Sequence, residues 1–461
     1  MINVSEEGLL SYLKQRCQQE WLIGYDSHKF YTLTENYYQK FLTEKPANIF
    51  LIEEKPLNFL TAFLAAVAAK CPIFLGNPHW QQNECEQILE WVQPALIISS
   101  HKDKLTEINS ISQCSREKQN PPAAMGFISG QSLQNTIMIP TGGSSGKIRF
   151  AIHTWQTLTA SVKGFYQYFG VEFINSFCIL PLYHVSGLMQ FLRSFLTEGH
   201  FNIFSYQTLK QQIAELPANR QDYFISLVPT QLQFLLDSNP LWLSQFSTVL
   251  LGGAAAWTSL LEKARKFEIR LAPTYGMTET ASQVVSLKPE EFLKGNNSSG
   301  QVLPHAQVTL SAQKEGTIAI KAESLFLGYY AEASFQDEFF YPDDLGRFDN
   351  QNYLYILGRN SQKIITGGEN VYPSEVEAAL LETGLVKDVA VIGLADPHWG
   401  ERVTAIYVPL SAEISAETLQ NALGKKISKY KIPKQWITVK SLPRNQQGKL
   451  NYQQLKKLTA N

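Results

Sequence analysis

The sequence predicts a mixed α/β protein: a large N-terminal domain of parallel α/β subdomains with a small β-barrel-like part, and a smaller, mobile α+β C-terminal domain. Three observations carry this. The chain has 461 residues, more than one compact core accommodates. Short apolar runs alternate with amphipathic helical stretches through the first half, the texture of parallel sheet with crossover helices. From Gln301 the pattern changes to short strands and turns, and helical periodicity returns only after Tyr372-Pro373.

In order, Asn48-Ile49-Phe50-Leu51-Ile52, Pro72-Ile73-Phe74-Leu75 and Ala95-Leu96-Ile97-Ile98 read as buried strands. Between the first two, Leu57, Leu60, Leu64 and Val67 recur at helical spacing in a window ending at Lys70, too short for a membrane span, which predicts a buried helix. Residues 101–135, rich in Ser, Asn, Gln and Pro, read as a surface excursion. Strands resume with Thr136-Ile137-Met138-Ile139 before a Gly/Ser loop, then Phe177-Cys178-Ile179-Leu180, Phe224-Ile225-Ser226-Leu227-Val228 and Thr248-Val249-Leu250-Leu251. Val308-Thr309-Leu310 and Gly316-Thr317-Ile318-Ala319-Ile320 suit a small antiparallel barrel or sheet. Ser374 with Glu377 predicts a capping box, and Gly384 a helix stop. A unit of βαβ texture follows from Asp388, and the boundary near Arg359 to Lys363 divides the chain into 1–359 and 360–461.

Composition excludes several classes. Hydrophobic residues at 44% rule out a disordered or fibrous chain, and 40 Lys plus Arg against 41 Asp plus Glu leave no global field for nucleic acid or an anionic membrane. Any anion site is local. The N-terminus has no signal-peptide pattern and no segment is long enough to be integral to a membrane, so the expectation is an intracellular, cytoplasmic protein. Cys17, Cys71, Cys85, Cys114 and Cys178 are odd in number and contain no CxxC, which points to reduced packing residues rather than a disulfide framework or zinc site. Self-association is left open.

Four motifs carry chemistry. Thr141-Gly142-Gly143-Ser144-Ser145-Gly146-Lys147 follows a predicted strand; its glycines allow inward-turned backbone amides, and its hydroxyls and lysine add donors for phosphate oxygens. It is not a Walker loop, which requires Gly where Thr141 stands and Ser or Thr where Ile148 stands. In Pro273-Thr274-Tyr275-Gly276-Met277-Thr278-Glu279, an aromatic can stack on a purine, a hydroxyl can hold a phosphate and a carboxylate can hold Mg²⁺. Asp344 and Arg359 can both reach ribose hydroxyls or form a surface ion pair, and Gly367-Gly368-Glu369-Asn370 reads locally as a tight turn. Pro443-Arg444-Asn445-Gln446-Gln447-Gly448-Lys449 is a loop ending in a lysine that, alone, would be a solvated charge.

In this order and spacing the motifs resemble the adenylate-forming superfamily of acyl-CoA synthetases, luciferases and peptide-synthetase adenylation domains, over nearly the whole chain. The resemblance implies an enzyme that joins a carboxylic acid to AMP with release of pyrophosphate, then passes the acyl group to a thiol, using ATP, Mg²⁺ and coenzyme A. It implies that Thr141 to Lys147 grips the β and γ phosphates. Tyr275 lies against adenine, with Gly252-Gly253-Ala254 on its other side. Thr278 and Glu279 meet the α-phosphate and magnesium, and Asp344 with Arg359 holds the ribose. Lys449 bridges the acid and the α-phosphate, Gly367, Gly368 and Glu369 line the thiol tunnel after the small domain turns, and Ser361 is the hinge. The family usually has Pro-Lys-Gly after the phosphate loop, and here Ile148-Arg149-Phe150 stands instead.

For the acid, Leu180-Pro181-Leu182-Tyr183-His184-Val185-Ser186-Gly187-Leu188 leads to Arg193 on a predicted helix. His184 can gate the acyl pocket or simply pack, and Arg193 can meet a second substrate carboxylate or face solvent. With Tyr275 to Gln283 this stretch resembles the ligases that attach CoA to 2-succinylbenzoate in menaquinone and phylloquinone synthesis, implying an aromatic keto diacid. Alternatives are another aryl or short-chain acyl-CoA ligase, a stand-alone adenylation domain serving a separate carrier protein, and a non-catalytic nucleotide sensor.

Overall fold

Parallel strands dominate the first two sheets of the computed structural model, which describes residues 4–100, 133–142, 148–212, 221–332, 335, 337–444 and 450–459. The first sheet has five strands, in spatial order Leu96–Ile98, Ile49–Leu51, Ile73–Leu75, Thr136–Gly142 and Ile148–Thr154. The first four are parallel; the last runs back against its neighbour, from Thr136↔Thr154 to Gly142↔Ile148. The predicted helix spans Pro56–Ala68, and every residue from Phe59 to Ala68 is buried, as a helix apolar on all sides requires.

The second sheet has eight strands in the order Leu22–Ile23, Phe201–Ile203, Asn175–Cys178, Tyr223–Leu227, Thr248–Leu251, Leu271–Met277, Ser282–Ser286 and Gln301–Val302. Its first six are parallel and its last two antiparallel. Helices Trp155–Phe169 and Val185–Leu196 bring Trp155, Leu158, Leu188, Phe191 and Phe195 into the main core, which also takes in the first sheet's Ile49, Leu51 and Ile73. The expected small β part is a four-stranded antiparallel meander, Ala306–Leu310, Glu315–Ala322, Asp344–Phe348 and Leu354–Arg359.

The last sheet runs Glu369–Val371, Ile364–Thr366, Gly400–Pro409 and Val386–Asp396, with Gln435–Thr438 parallel to Gly400–Pro409. Val376, Leu380, Val389, Val403 and Leu419 give it a core of its own.

One local expectation fails. The helix over Pro373–Leu381 has Tyr372 at its N-cap and no side-chain cap; Ser374 donates to the Leu357 carbonyl at 2.8 Å, and Glu377 accepts from the Val391 amide at 2.8 Å. The cause is Pro373, whose fixed φ starts the helix a residue early and whose missing N–H is one fewer donor to satisfy. Ser374 is thus inside the first turn and free to reach across to the meander. The helix ends at Leu381, and Gly384 takes φ 68° two residues beyond the Glu382 cap. The expected excursion at 101–135 lies almost wholly outside the described residues, as does Cys114. Among those described, no helix is long and apolar enough to cross a membrane.

Gly276 fixes the approach of Leu271–Met277 to Ser282–Ser286 at a bulge, where an added Cβ would stand 2.2 Å from the Ser282 carbonyl oxygen. Backbone cannot yield as a side-chain tip can, so Gly276→Ala is expected to lower unfolding stability by about 1–3 kcal/mol, read from urea midpoints.

Candidate active site

The phosphate-type loop is the tip of an antiparallel hairpin. Thr136–Gly142 leads in and Ile148–Thr154 leads out, so no helix follows the loop. Gly143, Ser144, Ser145, Gly146 and Lys147 lie outside the described residues; Thr141 and Gly142 end the incoming strand. The Thr141 hydroxyl stands 3.5 Å from Glu279 Oε1, so hairpin and Tyr275–Glu279 motif, far apart in sequence, meet here. On the outgoing strand the Arg149 guanidinium lies 3.8 Å from the Tyr329 ring centroid and 3.7 Å from Glu332.

Glu279 sits in a 3-10 turn, Thr278–Thr280, that joins Leu271–Met277 to Ser282–Ser286. It is 7% exposed, and its Oε1 accepts the Tyr329 hydroxyl at 2.7 Å. Burial and the Glu279 charge push the Tyr329 phenol far up, so it stays a donor. The Thr278 carbonyl accepts from His153 Nε2 at 2.7 Å and the Glu279 carbonyl from the Phe326 amide at 2.9 Å. Among the described residues no three His, Cys, Asp or Glu form a metal cage. One carboxylate beside Thr141 and Thr278 hydroxyls is instead an all-oxygen set that fits Mg²⁺ shared with nucleotide phosphates.

Asp344 and Arg359 face each other across the last two meander strands, Arg359 Nε 3.3 Å from Asp344 Oδ1, while the Tyr275 hydroxyl donates to Asp344 Oδ2 at 2.7 Å. Burial raises the Asp344 carboxyl above its ordinary range and outweighs the Arg359 charge, which acts the other way. Gly252, Gly253 and Ala254 follow the Thr248–Leu251 strand. Gly253 takes φ 80°, and a Cβ on Gly252 would lie 2.7 Å from Thr274 Oγ1.

On the acid side, His184 occupies the N-cap of helix Val185–Leu196 and is buried against the Tyr183 ring, 4.6 Å between centroids. Arg193 is 3% exposed, which removes the solvent-facing reading. Its Nη2 donates to Ser282 Oγ at 2.9 Å and Gln283 Oε1 at 2.8 Å, and its guanidinium lies 4.0 Å from the Phe165 centroid. Among the described residues no carboxylate pairs with it, and burial lowers it to about 9, still a cation near neutral pH. His305 neighbours it, buried, with neither ring nitrogen hydrogen-bonded among the described residues; burial first and the Arg193 charge second lower it to about 4. Cys178 is fully buried, its Sγ donating to the Leu180 carbonyl at 3.3 Å, and burial pushes the thiol up to about 12.

In the last sheet Gly367 and Gly368, at φ 58° and 82°, form a two-residue hairpin turn between Ile364–Thr366 and Glu369–Val371, packed on Trp399. Glu369 is exposed. No hydrogen bond or ion pair among the described residues joins this hairpin to the Thr141–Glu279 cluster. Ser361 lies in the short turn Asn360–Gln362, its amide held by Asp343 Oδ2 at 3.0 Å. Lys449 is outside the described residues, but both flanks of its loop are described. Arg444 bridges to Leu450, and Arg444 forms a fork to Asp388, Nε to Oδ2 at 3.0 Å and Nη2 to Oδ1 at 2.6 Å.

Sequence reading missed Tyr329, His153, Ser282 with Gln283, and His305. Each reaches the site only through tertiary contact. The one local signal was Gly328-Tyr329, a turn-type pair just beyond the predicted strands.

A chain with this pair of lobes and this ordered set of groups belongs to the AMP-binding enzyme family: the model of that family matches residues 43–330, and the model of the AMP-binding enzyme C-terminal domain matches 375–449. Its sequence is similar to a 2-succinylbenzoate–CoA ligase of Listeria monocytogenes, 32% identical over 419 residues, 87% of this chain and 86% of that one. A 2-succinylbenzoate–CoA ligase of Enterococcus faecalis is 29% identical over 432 residues, 90% of this chain and 89% of the other. Among solved structures, o-succinylbenzoate CoA synthetase (MenE) of Bacillus subtilis with the acyl-adenylate OSB-AMP superposes with a TM-score of 0.82 at 24% identity, covering 96% of this chain and 97% of that one. The same enzyme with ATP and magnesium gives 0.81 at 25%, covering 96% and 99%.

Two buried histidines set an acid limit. His153 and His305 titrate at about 4 in the fold against 6.5 when free, so between those values the unfolded chain takes up protons that the folded one refuses. Their contribution is full above pH 6.5 and lost as pH falls toward 4, on the order of 3 kcal/mol each. Glu377, enclosed by its neighbours and raised to about 7 by burial, acts oppositely: its contribution is full below 4.5 and lost as pH rises through 7. The denaturation midpoint is expected to fall from pH 7.5 to 5, and Glu377→Gln to steepen that fall.

Proposed function

We propose that this chain is an ATP-dependent, AMP-forming acid:CoA ligase whose acid is 2-succinylbenzoate, acting in the cytoplasm where ATP and CoA are abundant. The observation that carries the choice of acid is Arg193: a buried cation whose described polar partners, Ser282 and Gln283, are neutral and lie one short turn beyond Glu279. A monocarboxylic acid leaves that charge unanswered. A diacid answers it with its second carboxylate while the first reacts. The named relatives support the same reading.

In this reading Thr141, Gly142 and the 143–147 tip hold the β and γ phosphates, with Tyr275 and the Gly253–Ala254 strip on the adenine and Asp344 with Arg359 on the ribose. Magnesium, when bound beside Glu279, Thr141 and Thr278, neutralises phosphate charge. Because a carboxylate attacking a polyanion must overcome repulsion, positioning and electrostatics do most of the work; Lys449 bridges the two reactants. His184 closes the acyl pocket next to the reacting carbonyl. The thiol step needs pyrophosphate gone and a path to the adenylate, and a rotation about Ser361 that brings Gly367, Gly368 and Glu369 to the site provides it. The chain divides there, 1–359 carrying nucleotide and acid and 360–461 carrying lysine and hairpin.

Two experiments test this. Lys449→Ala is expected to slow acid-dependent pyrophosphate release by about 10²–10³-fold while thioester formation from preformed acyl adenylate changes little. Arg193→Leu is expected to raise the 2-succinylbenzoate concentration for half-maximal rate by about 10–100-fold and to leave benzoate and octanoate unaffected. Equal effects on all three acids would remove Arg193 from the pocket.

A further inference from the structure

The turn that carries Glu279 is strained, and two residues with no role so far hold it. Ala281 and Ser282 adopt φ 50° and 108°, conformations that side-chain-bearing residues leave unless their surroundings over-determine them. Besides Thr280 Oγ1, which binds the Met277 and Ser282 carbonyls within the turn, and the Phe326 amide on the Glu279 carbonyl, two side-chain restraints come from one segment. His153, near the end of Ile148–Thr154, sets Nε2 2.7 Å from the Thr278 carbonyl oxygen; Ser161, on the next helix, donates its hydroxyl to the Ala281 carbonyl at 2.8 Å. A carbonyl only accepts, so Nε2 bears the proton, and Nδ1 faces the Thr157 hydroxyl at 3.0 Å. Both side chains are buried, so neither bond competes with water.

What the clamp holds is the link between the two halves of the chemistry. The turn begins with Thr278 and Glu279, which face the hairpin through Thr141, and ends with Ser282 and Gln283, the partners of Arg193. Six residues, Thr278 to Gln283, thus span the distance between the nucleotide side and the acid side. Relaxing the left-handed pair would rotate Ser282 away from Arg193 and shift Glu279 with it.

We propose that His153, supported by Ser161, is a positioning residue for adenylation: by holding the Thr278–Ser282 turn in its strained form it fixes the Glu279 carboxylate and the Arg193 guanidinium relative to each other. This rests on the reading of Glu279 and Arg193 given above. A histidine that only stabilised the fold would, when replaced, affect both half-reactions alike. A positioning histidine affects acid and magnesium dependence of the first and spares the second.

The test uses the full chain in three variants: His153→Phe, which keeps volume and loses the donor; His153→Gln, whose amide N–H can still reach the carbonyl; and Ser161→Ala. Acid-dependent pyrophosphate exchange is measured against magnesium and acid concentration, thioester formation is started from preformed adenylate, and hydrogen exchange of the 278–283 amides is followed without ligands. For His153→Phe we expect a fall of about 10–100-fold in kcat/KM for exchange, a several-fold higher magnesium requirement, faster amide exchange and a thioester rate within about twofold of the parent. His153→Gln should recover most of this, and Ser161→Ala should shift each reading the same way by less. Unchanged amide exchange and magnesium dependence in His153→Phe, or equal loss in both half-reactions, overturns the proposal. Should that variant not fold, parental amide exchange and magnesium dependence in Ser161→Ala do the same. Glu279→Gln is the control: if magnesium dependence does not move there, the assignment of Glu279 fails, while the amide exchange still judges the clamp.

Discussion

A guanidinium kept in the interior with no counter-charge among the described residues constrains everything around it. Taking such an ion out of water costs several kcal/mol, and here Ser282 and Gln283 oxygens and the Phe165 ring supply only dipoles and a quadrupole in return. These groups must be held in place for Arg193 to remain charged, since none can approach by itself without leaving its element. The positions of Ser282 and Gln283 follow directly from the strained turn before them, and that turn is set by the strand and helix that follow the phosphate hairpin. Arg193, Glu279 and the strand that carries Thr141 are therefore one assembly rather than three neighbouring features.

The hairpin has a consequence for anion binding. In loops that run from strand to helix, the helix N-terminus supplies positive potential and aligned amides. Here the strand Ile148–Thr154 follows, so that contribution is missing. The chain as a whole is close to neutral, so no long-range field assists. This makes local cations decisive. Arg149 is already engaged with Tyr329 and Glu332, the former of which also holds Glu279, and so it supports the metal-side carboxylate through its partner.

How far the sequence revealed this depended on the range of each interaction. Periodicity located the buried helix at Pro56–Ala68 and the strand at Thr248–Leu251, because burial on all sides leaves a continuous apolar record. The Asp344 and Arg359 pair was legible because both lie at matching ends of adjacent strands. The capping box at Ser374 was misread since a single preceding proline moved the helix start, a contest between two local signals of similar strength. Tyr329, His153 and His305 left no record: each is an ordinary polar residue in its own segment, and only tertiary contact, such as the Ala151–Tyr329 bridge and the His153 bond to Thr278, brings it to the site. For Arg193 the sequence could pose the alternatives, and burial removed the solvent-facing one.

Under the proposed function, one lysine of the small domain serves one half-reaction and is withdrawn for the other. Asp388 and Arg444 lie on the same side of the hinge, and their two-bond fork fixes the start of the 445–449 loop to the Val386–Asp396 strand, while the Arg444 to Leu450 bridge closes the loop at its base. Planar pairing of this kind resists rotation as well as separation, so Arg444 is held to that strand. In the proposed reading, a turn at Ser361 would carry the sheet, its core and the Gly367–Gly368 hairpin together. In that reading the withdrawal of the lysine and the arrival of the thiol-side hairpin are one displacement, which can occur only once the adenylate has formed and pyrophosphate has left.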